Sequence, residues 1–201
     1  MVGSSQDYLK YVQLNVSDMD IISSSLGAYI DKISQISADL EATYEAANKA
    51  YEDALKAGVS APGVVSIAEL KKESDEAKKE SEKMKEMLAL LNQVKSASDE
   101  FKMSKDKSEA EALQAMEGFN VAFKAFSEAT DSYLSLLKGK AGRLDNSISD
   151  MKKLYDAISG SQNPSPDVLS SLTQLIGSLE TEKSSSDSAV NEITLINTKL
   201  N

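Results

Sequence analysis

Apolar residues recur along the chain at the spacing of long helices that each bury one narrow side. In the first stretch, Val12, Met19, Leu26, Ile33, Leu40, Ala47 and Ala54 stand seven residues apart. Val16, Ile22, Tyr29, Ile30, Ile36, Tyr44 and Tyr51 fill positions three or four beyond them. A stripe of this kind sets one side of a helix against partner helices. No proline interrupts it, and Gly27 is the only glycine within it. The pattern predicts a first helix from about Ser5 to Ala57, roughly 75 Å long at 1.5 Å per residue. From Glu41 onward the seam turns to Ala42, Ala46, Ala47, Ala50 and Ala54 with Tyr44 and Tyr51. Small residues let a partner backbone come close, so this end is expected to form a slim arm. Gly58, opening Gly-Val-Ser-Ala-Pro-Gly, marks the helix end.

A second helix is predicted from Gly63 or Val64 to about Met103. Its stripe is Val64, Ile67, Leu70, Ala77, Met84, Leu88, Leu91, Val94 and Phe101. Between Lys71 and Lys83 the only apolar residue is Ala77. That segment is expected to be a solvated face, with Glu76–Lys79 and Glu80–Lys83 pairs worth a few tenths of a kcal/mol each. A turn is expected at Lys105–Lys107. Ser108 with Glu111 then matches a capping box.

The third helix carries Leu113, Met116, Phe119, Phe123, Phe126, Tyr133, Leu134 and Leu137. Gly139 and Gly142 weaken it by about 2 kcal/mol together. Yet Met116, Phe123, Thr130, Leu137, Leu144, Met151 and Ile158 keep the seven-residue phase. One helix from Ser108 to Ser159, soft at the glycines, is therefore favoured. A break there is the alternative, because this helix would overhang the second by ~18 Å. Gly160 to Asp167 reads as a loop, with Asp167 as the expected cap of the last helix. That helix runs to about Leu200 through Val168, Leu172, Leu175, Ile176, Leu179, Val190, Ile193 and Ile196, with a polar gap from Glu180 to Ser188. Short loops make neighbours antiparallel. The expected fold is all-α: an elongated antiparallel four-helix bundle, five helices if broken at Gly139–Gly142, forming one domain over residues 1–201.

Composition changes this picture little but narrows the chemistry. The chain is 41% hydrophobic and 27% charged, which suits a folded protein, and 5% aromatic with no Trp, which makes the core aliphatic. A net charge of −10 disfavours a nucleic-acid-binding basic face. Arg143 is the only arginine, so phosphate recognition by arginine clusters is excluded. With no Cys and no His, thiol chemistry, zinc fingers and Ser-His-Asp triads are excluded. No carboxylate stands alone with a partner in an apolar run, as acid–base catalysis requires. Dimetal bundles need Glu-x-x-His motifs, and Asp18 with Asp20 do not form a calcium loop. No catalytic, cofactor-binding or metal residue is assigned, and the chain reads as a non-enzyme. No apolar run is long enough to insert into a membrane. Asn15-Val-Ser17 is a glycosylation sequon inside a predicted helix.

One coincidence of depth suggests a site. Counted from the end carrying the Gly58–Gly63 and Gly160–Pro166 turns, three polar stretches overlap. They are the charged part of the second helix, Gly139–Asn146 and Glu180–Ser188, and Ser37, Leu40 and Tyr44 lie opposite them. If this is an internal polar layer, Arg143, Tyr44 and Thr181 are candidate contacts for a small anionic ligand. The competing expectation is a surface where the bundle narrows or splays.

These features point to an interaction or structural protein with a protein partner. The small polar start and the Ser-rich, Lys-over-Arg surface suggest a lipoprotein-like tether on the outer side of a membrane. Two alternatives stand beside this. One is a ligand-sensing ectodomain, because the architecture resembles at fold level the four-helix sensor bundles of chemoreceptors and sensor kinases. The other is a cytosolic coiled-coil adaptor beginning at Met1, with a homodimer through the seam.

Overall fold

The computed structural model describes residues 5–58, 67–104 and 107–200, with side chains at 26–58, 67–104, 107–135, 140, 142–191 and 193–195. Among these residues the fold is all-α. Four helices carry it: α1 (Ser5–Ala57), α2 (Ile67–Met103), α3 (Glu109–Ser159) and α4 (Pro166–Leu200). No described helix is long and apolar enough to cross a membrane.

The helix ends follow local chemistry. α1 stops where Gly58 takes a φ of 61° and its N–H bonds the Leu55 carbonyl at 3.2 Å. Glycine enters that left-handed conformation without a Cβ penalty. The expected start of α2 at Gly63 or Val64 lies outside the described residues, as do Lys105 and Asp106 of the expected turn. α3 opens with the expected capping box. The Glu111 N–H donates to Ser108 Oγ at 3.4 Å, and the Ser108 N–H donates to Glu111 Oε2 at 3.1 Å. α3 then runs unbroken through Gly139 and Gly142, so the five-helix alternative is set aside. At α4 the expected cap is corrected by one helical boundary. Pro166 is the first helical residue and Asp167 lies inside the first turn, with the Leu169 N–H bonded to the Ser165 carbonyl at 3.0 Å. Proline at the first helical position loses no hydrogen bond, and Asp167 still complements the helix dipole.

The chain packs as two compact units, and every helix contributes to both. The first takes α1 up to Ser34, α2 from Glu86, α3 up to Ser132 and α4 from Ile193. Leu26, Ile33, Leu91, Val94, Phe101, Phe119 and Phe126 are buried in it. The second takes Gln35–Lys85 and Tyr133–Glu192. Its apolar core joins Ala46, Ala47, Ala50 and Ala54 of α1, Leu70 of α2, Leu144, Met151, Leu154 and Ile158 of α3, and Val168, Leu172, Leu175 and Leu179 of α4. The alanine seam read in α1 is thus closed against large side chains from the other helices.

One expectation about α2 is overturned. The stretch between Lys71 and Lys83 is not a wholly solvated face: Glu73, Ser74 and Ser81 are buried. The heptad explains it. Leu70, Ala77 and Met84 hold one seam position, and the residues three or four beyond them are Glu73 or Ser74 and Glu80 or Ser81. Polar residues there face inward because the helix cannot turn them out without also exposing its leucines and methionines.

Candidate functional site

The same phase argument builds a site inside the second unit. Along α4, Val168, Leu172, Leu175, Leu179, Glu182, Ser186 and Ala189 are buried at alternating steps of four and three, and Ser171 and Ile193 are buried as well. Along α3 they include Tyr133, Lys140, Leu144 and Met151. Along α1 they include Leu40, Thr43, Ala47 and Ala50. Glu182, Lys140 and Thr43 therefore occupy seam positions that leucine or alanine fills elsewhere. The hydrophobic neighbours drive the burial, and the polar residues are carried in with them.

Lys140 is the centre. Its ammonium is ion-paired with Glu80 of α2 and with Glu182 of α4, and its side chain is only 3% exposed. These are ionic contacts rather than well-aligned hydrogen bonds. One turn along α3, Arg143 makes a fan. Its Nη1 donates to Glu73 Oε1 at 3.1 Å and to Glu76 Oε2 at 2.8 Å, and its Nη2 donates to Glu80 Oε1 at 2.7 Å. The Ser147 hydroxyl donates to the other Glu73 oxygen at 2.7 Å. Glu76 and Glu80, expected to pair along α2, thus reach across to α3. Thr43 places its hydroxyl 3.1 Å from the Asp39 carbonyl and 3.4 Å from the Ser178 carbonyl of α4.

The balance of charge is uneven. Four carboxylates, Glu73, Glu76, Glu80 and Glu182, surround two cations, Lys140 and Arg143. Burial pushes the Glu182 carboxyl above its ordinary range; Glu80 adds to this, while Lys140 and Thr43 oppose it. Burial also raises the Tyr133 phenol, with Glu80 and Glu182 contributing. The Tyr133 hydroxyl and one Glu182 oxygen are buried without a hydrogen-bond partner. The Arg143 guanidinium is held protonated by its surrounding glutamates against the opposing effect of burial.

Around this centre the helices are pinned in pairs. Glu41 of α1 accepts from Ser81 at 2.5 Å and pairs with Lys85 of α2 at 2.5 Å, and these two partners hold its carboxyl below the usual range. Ser185 of α4 donates to Asp39 of α1 at 2.5 Å. Lys152 meets Glu180 at 2.8 Å and Lys183 meets Asp145 at 2.5 Å, joining α3 to α4.

No protein-family model, curated protein or solved structure matches the chain. Function is therefore argued from these residues alone.

The three candidate ligand contacts are not brought to one place. Arg143 borders a cavity of about 230 Å³ that it shares with Glu73, Glu76, Ser147 and Asp150. Thr181 is exposed, donates to the Gly177 carbonyl at 3.0 Å, and lines a separate groove with Ala42, Lys49 and Gln174. Tyr44 is half-buried on α1 and lines neither. The polar stretches that coincide in depth do meet, but through neighbours of the expected residues: Thr43 beside Tyr44, Glu182 beside Thr181, and Lys140 together with Arg143. Seam phase singles these residues out; polarity and depth alone do not.

Two expected outcomes follow from this geometry. Arg143→Ala leaves Glu73, Glu76 and Glu80 without their shared cation. The site is partly exposed, so the cost is expected at about 1–3 kcal/mol, read from urea denaturation. Glu182→Gln tests the raised carboxyl. A carboxyl whose folded pKa lies above its unfolded value of 4.5 binds more protons in the native state. Its stabilising contribution is therefore full below 4.5 and is lost as pH rises through the folded value. Relative to Glu182→Gln, the wild-type chain is expected to gain stability as pH falls from neutral toward 4.5. A difference between the two that does not change with pH would contradict the assignment.

Proposed function

We propose that the chain is a non-enzymatic helical-bundle protein that works as a structural or interaction element. The observation that carries this reading is the use made of buried charge. Lys140 lies between Glu80 and Glu182, and Arg143 spans Glu73, Glu76 and Glu80. Both cations are engaged by the chain's own carboxylates, so an anionic ligand would have to displace them. Charges at seam positions act on which helices pair and in what register, which is an architectural task. The Ser-rich surface, whose cations are lysines rather than arginines, supports placing the bundle on the outer side of a cell membrane, held there by a tether.

The test is the size and fractionation of the native protein in its own cell. A complex larger than the 21.6 kDa chain, recovered with membranes, is the expected result. A lone chain in the soluble fraction would contradict both the interaction and the tether.

A further inference from the structure

We propose that the groove between the last turn of α2 and the first four turns of α3 is a docking site for a basic amphipathic helix of a partner protein. The proposal rests on the interaction reading above and gives it a surface and a partner chemistry.

Three observations converge on this groove. The first is misplaced apolar surface. Among the described residues five large hydrophobic side chains are exposed, and two of them line this groove: Met103 at 69% and Val121 at 66%. Single exposed apolar residues are ordinary, but two together on the wall of a concavity of about 770 Å³ suit a contact surface. Methionine at such a place adapts to the shape of what it meets.

The second observation is the floor. Ala115, Gly118 and Ala122 form it. A glycine inside a helix costs about 1 kcal/mol relative to alanine. At Gly118, as at the helical glycines Gly27, Gly142 and Gly177, a Cβ would meet nothing within 4 Å, so the floor is open to a backbone or side chain approaching from outside.

The third is the rim, which names the occupant. Glu100, Glu111 and Glu117 border the groove against Lys107 alone. The Ser108 hydroxyl and N–H hold the Glu111 carboxyl below its usual range. A second copy of the chain would bring the same acidic rim and a net charge of −10, so self-docking is opposed. Anionic lipid is opposed for the same reason. A helix with lysine or arginine flanking an apolar stripe fits both rim and floor. From Glu111 to Ala122 the wall spans about three turns, ~17 Å. That length suits apolar anchors at i, i+3 or i+4, and i+7.

The probe is a synthetic leucine–lysine helix about four turns long with its leucines on one side. Its partner in the experiment is the full chain. Saturable binding is expected, with hydrogen-exchange protection at 100–104 and 111–122. A peptide of the same composition with scattered leucines is expected to bind about tenfold more weakly, as are Val121→Asp and the Glu100→Lys, Glu117→Lys pair. All three positions are exposed or on the rim, so folding is retained. Gly118→Ala is expected to raise the melting temperature and weaken the peptide, two changes that a purely structural glycine would not combine. Protection elsewhere, or an affinity unchanged by Val121→Asp and the charge reversal, overturns the proposal. So does a concentration-dependent dimer, or anionic vesicle binding, that protects 111–122. Failure here leaves the interaction reading standing; that reading falls only if the native chain is found alone.

Discussion

Replacing Lys140 by methionine is expected to destabilise the chain by about 3–5 kcal/mol. The side chain fits, because methionine nearly matches the length of the lysine stem. What is lost is the charge between Glu80 and Glu182, both of which the ammonium contacts. Their carboxylates would then share a buried site with no cation between them. Glu182 can relieve this only by taking up a proton, toward which its burial already pushes it. The penalty is therefore expected to be largest at neutral and alkaline pH and to shrink in acid. Urea denaturation at several pH values measures it. Acidic conditions leave Glu41 and Glu111 less favourable, since both are held low in the folded chain. Their contribution is present above 4.5 and is lost as pH falls through their folded values, but it is common to wild type and variant and cancels in the difference. A midpoint shift corresponding to less than about 1 kcal/mol would mean that Lys140 is not the cation holding these glutamates.

Removing the whole ionic layer is expected to do the opposite. With Glu80→Leu, Lys140→Met and Glu182→Leu combined, no buried charge remains unpaired at the layer. Arg143 keeps Glu73 and Glu76 as partners. Apolar replacements of buried ion clusters are often neutral or stabilising by about 1–4 kcal/mol, because the desolvation cost of the ions disappears. The seam would then read as apolar through the layer on α2, α3 and α4. A seam without a polar marker no longer opposes shifted registers or exchange of helices between molecules. The expected combination is a higher melting temperature with more than one species by size-exclusion chromatography, or broadened amide resonances. A triple variant that is more stable and still a single species would show that the layer does not specify register.

Helix existence and boundaries were largely legible in the sequence, for identifiable reasons. Gly58 ends α1 because only the turn chemistry there admits a positive φ, and Ser108 with Glu111 opens α3 as a capping box written in local residues. The continuity of α3 was legible because the heptad kept its phase across Gly139 and Gly142. The start of α4 is less legible, because Pro166 closes a run of loop residues, although proline is at home in a first helical turn. The ionic layer was half legible. Polar stretches of equal depth mark the right level of the second unit, but residue type does not say which of their side chains face inward. Lys140 and Glu182 look like surface residues by type and core residues by position. Position wins, because neighbours such as Leu144 and Leu179 are fully buried on the same stripe. Which carboxylate Arg143 would meet was not legible, since Glu73, Glu76 and Glu80 become its partners only when α2 and α3 are packed together.

The most direct test of the buried layer is a double-mutant cycle on Lys140 and Glu182, using Lys140→Met, Glu182→Leu and the pair, followed by urea denaturation at neutral pH. If the ammonium of Lys140 is held between Glu80 and Glu182 inside the seam, the double variant will be less destabilised than the sum of the singles, by about 2 kcal/mol or more. Additive effects would place the two side chains apart and contradict the layer on which the architectural reading depends.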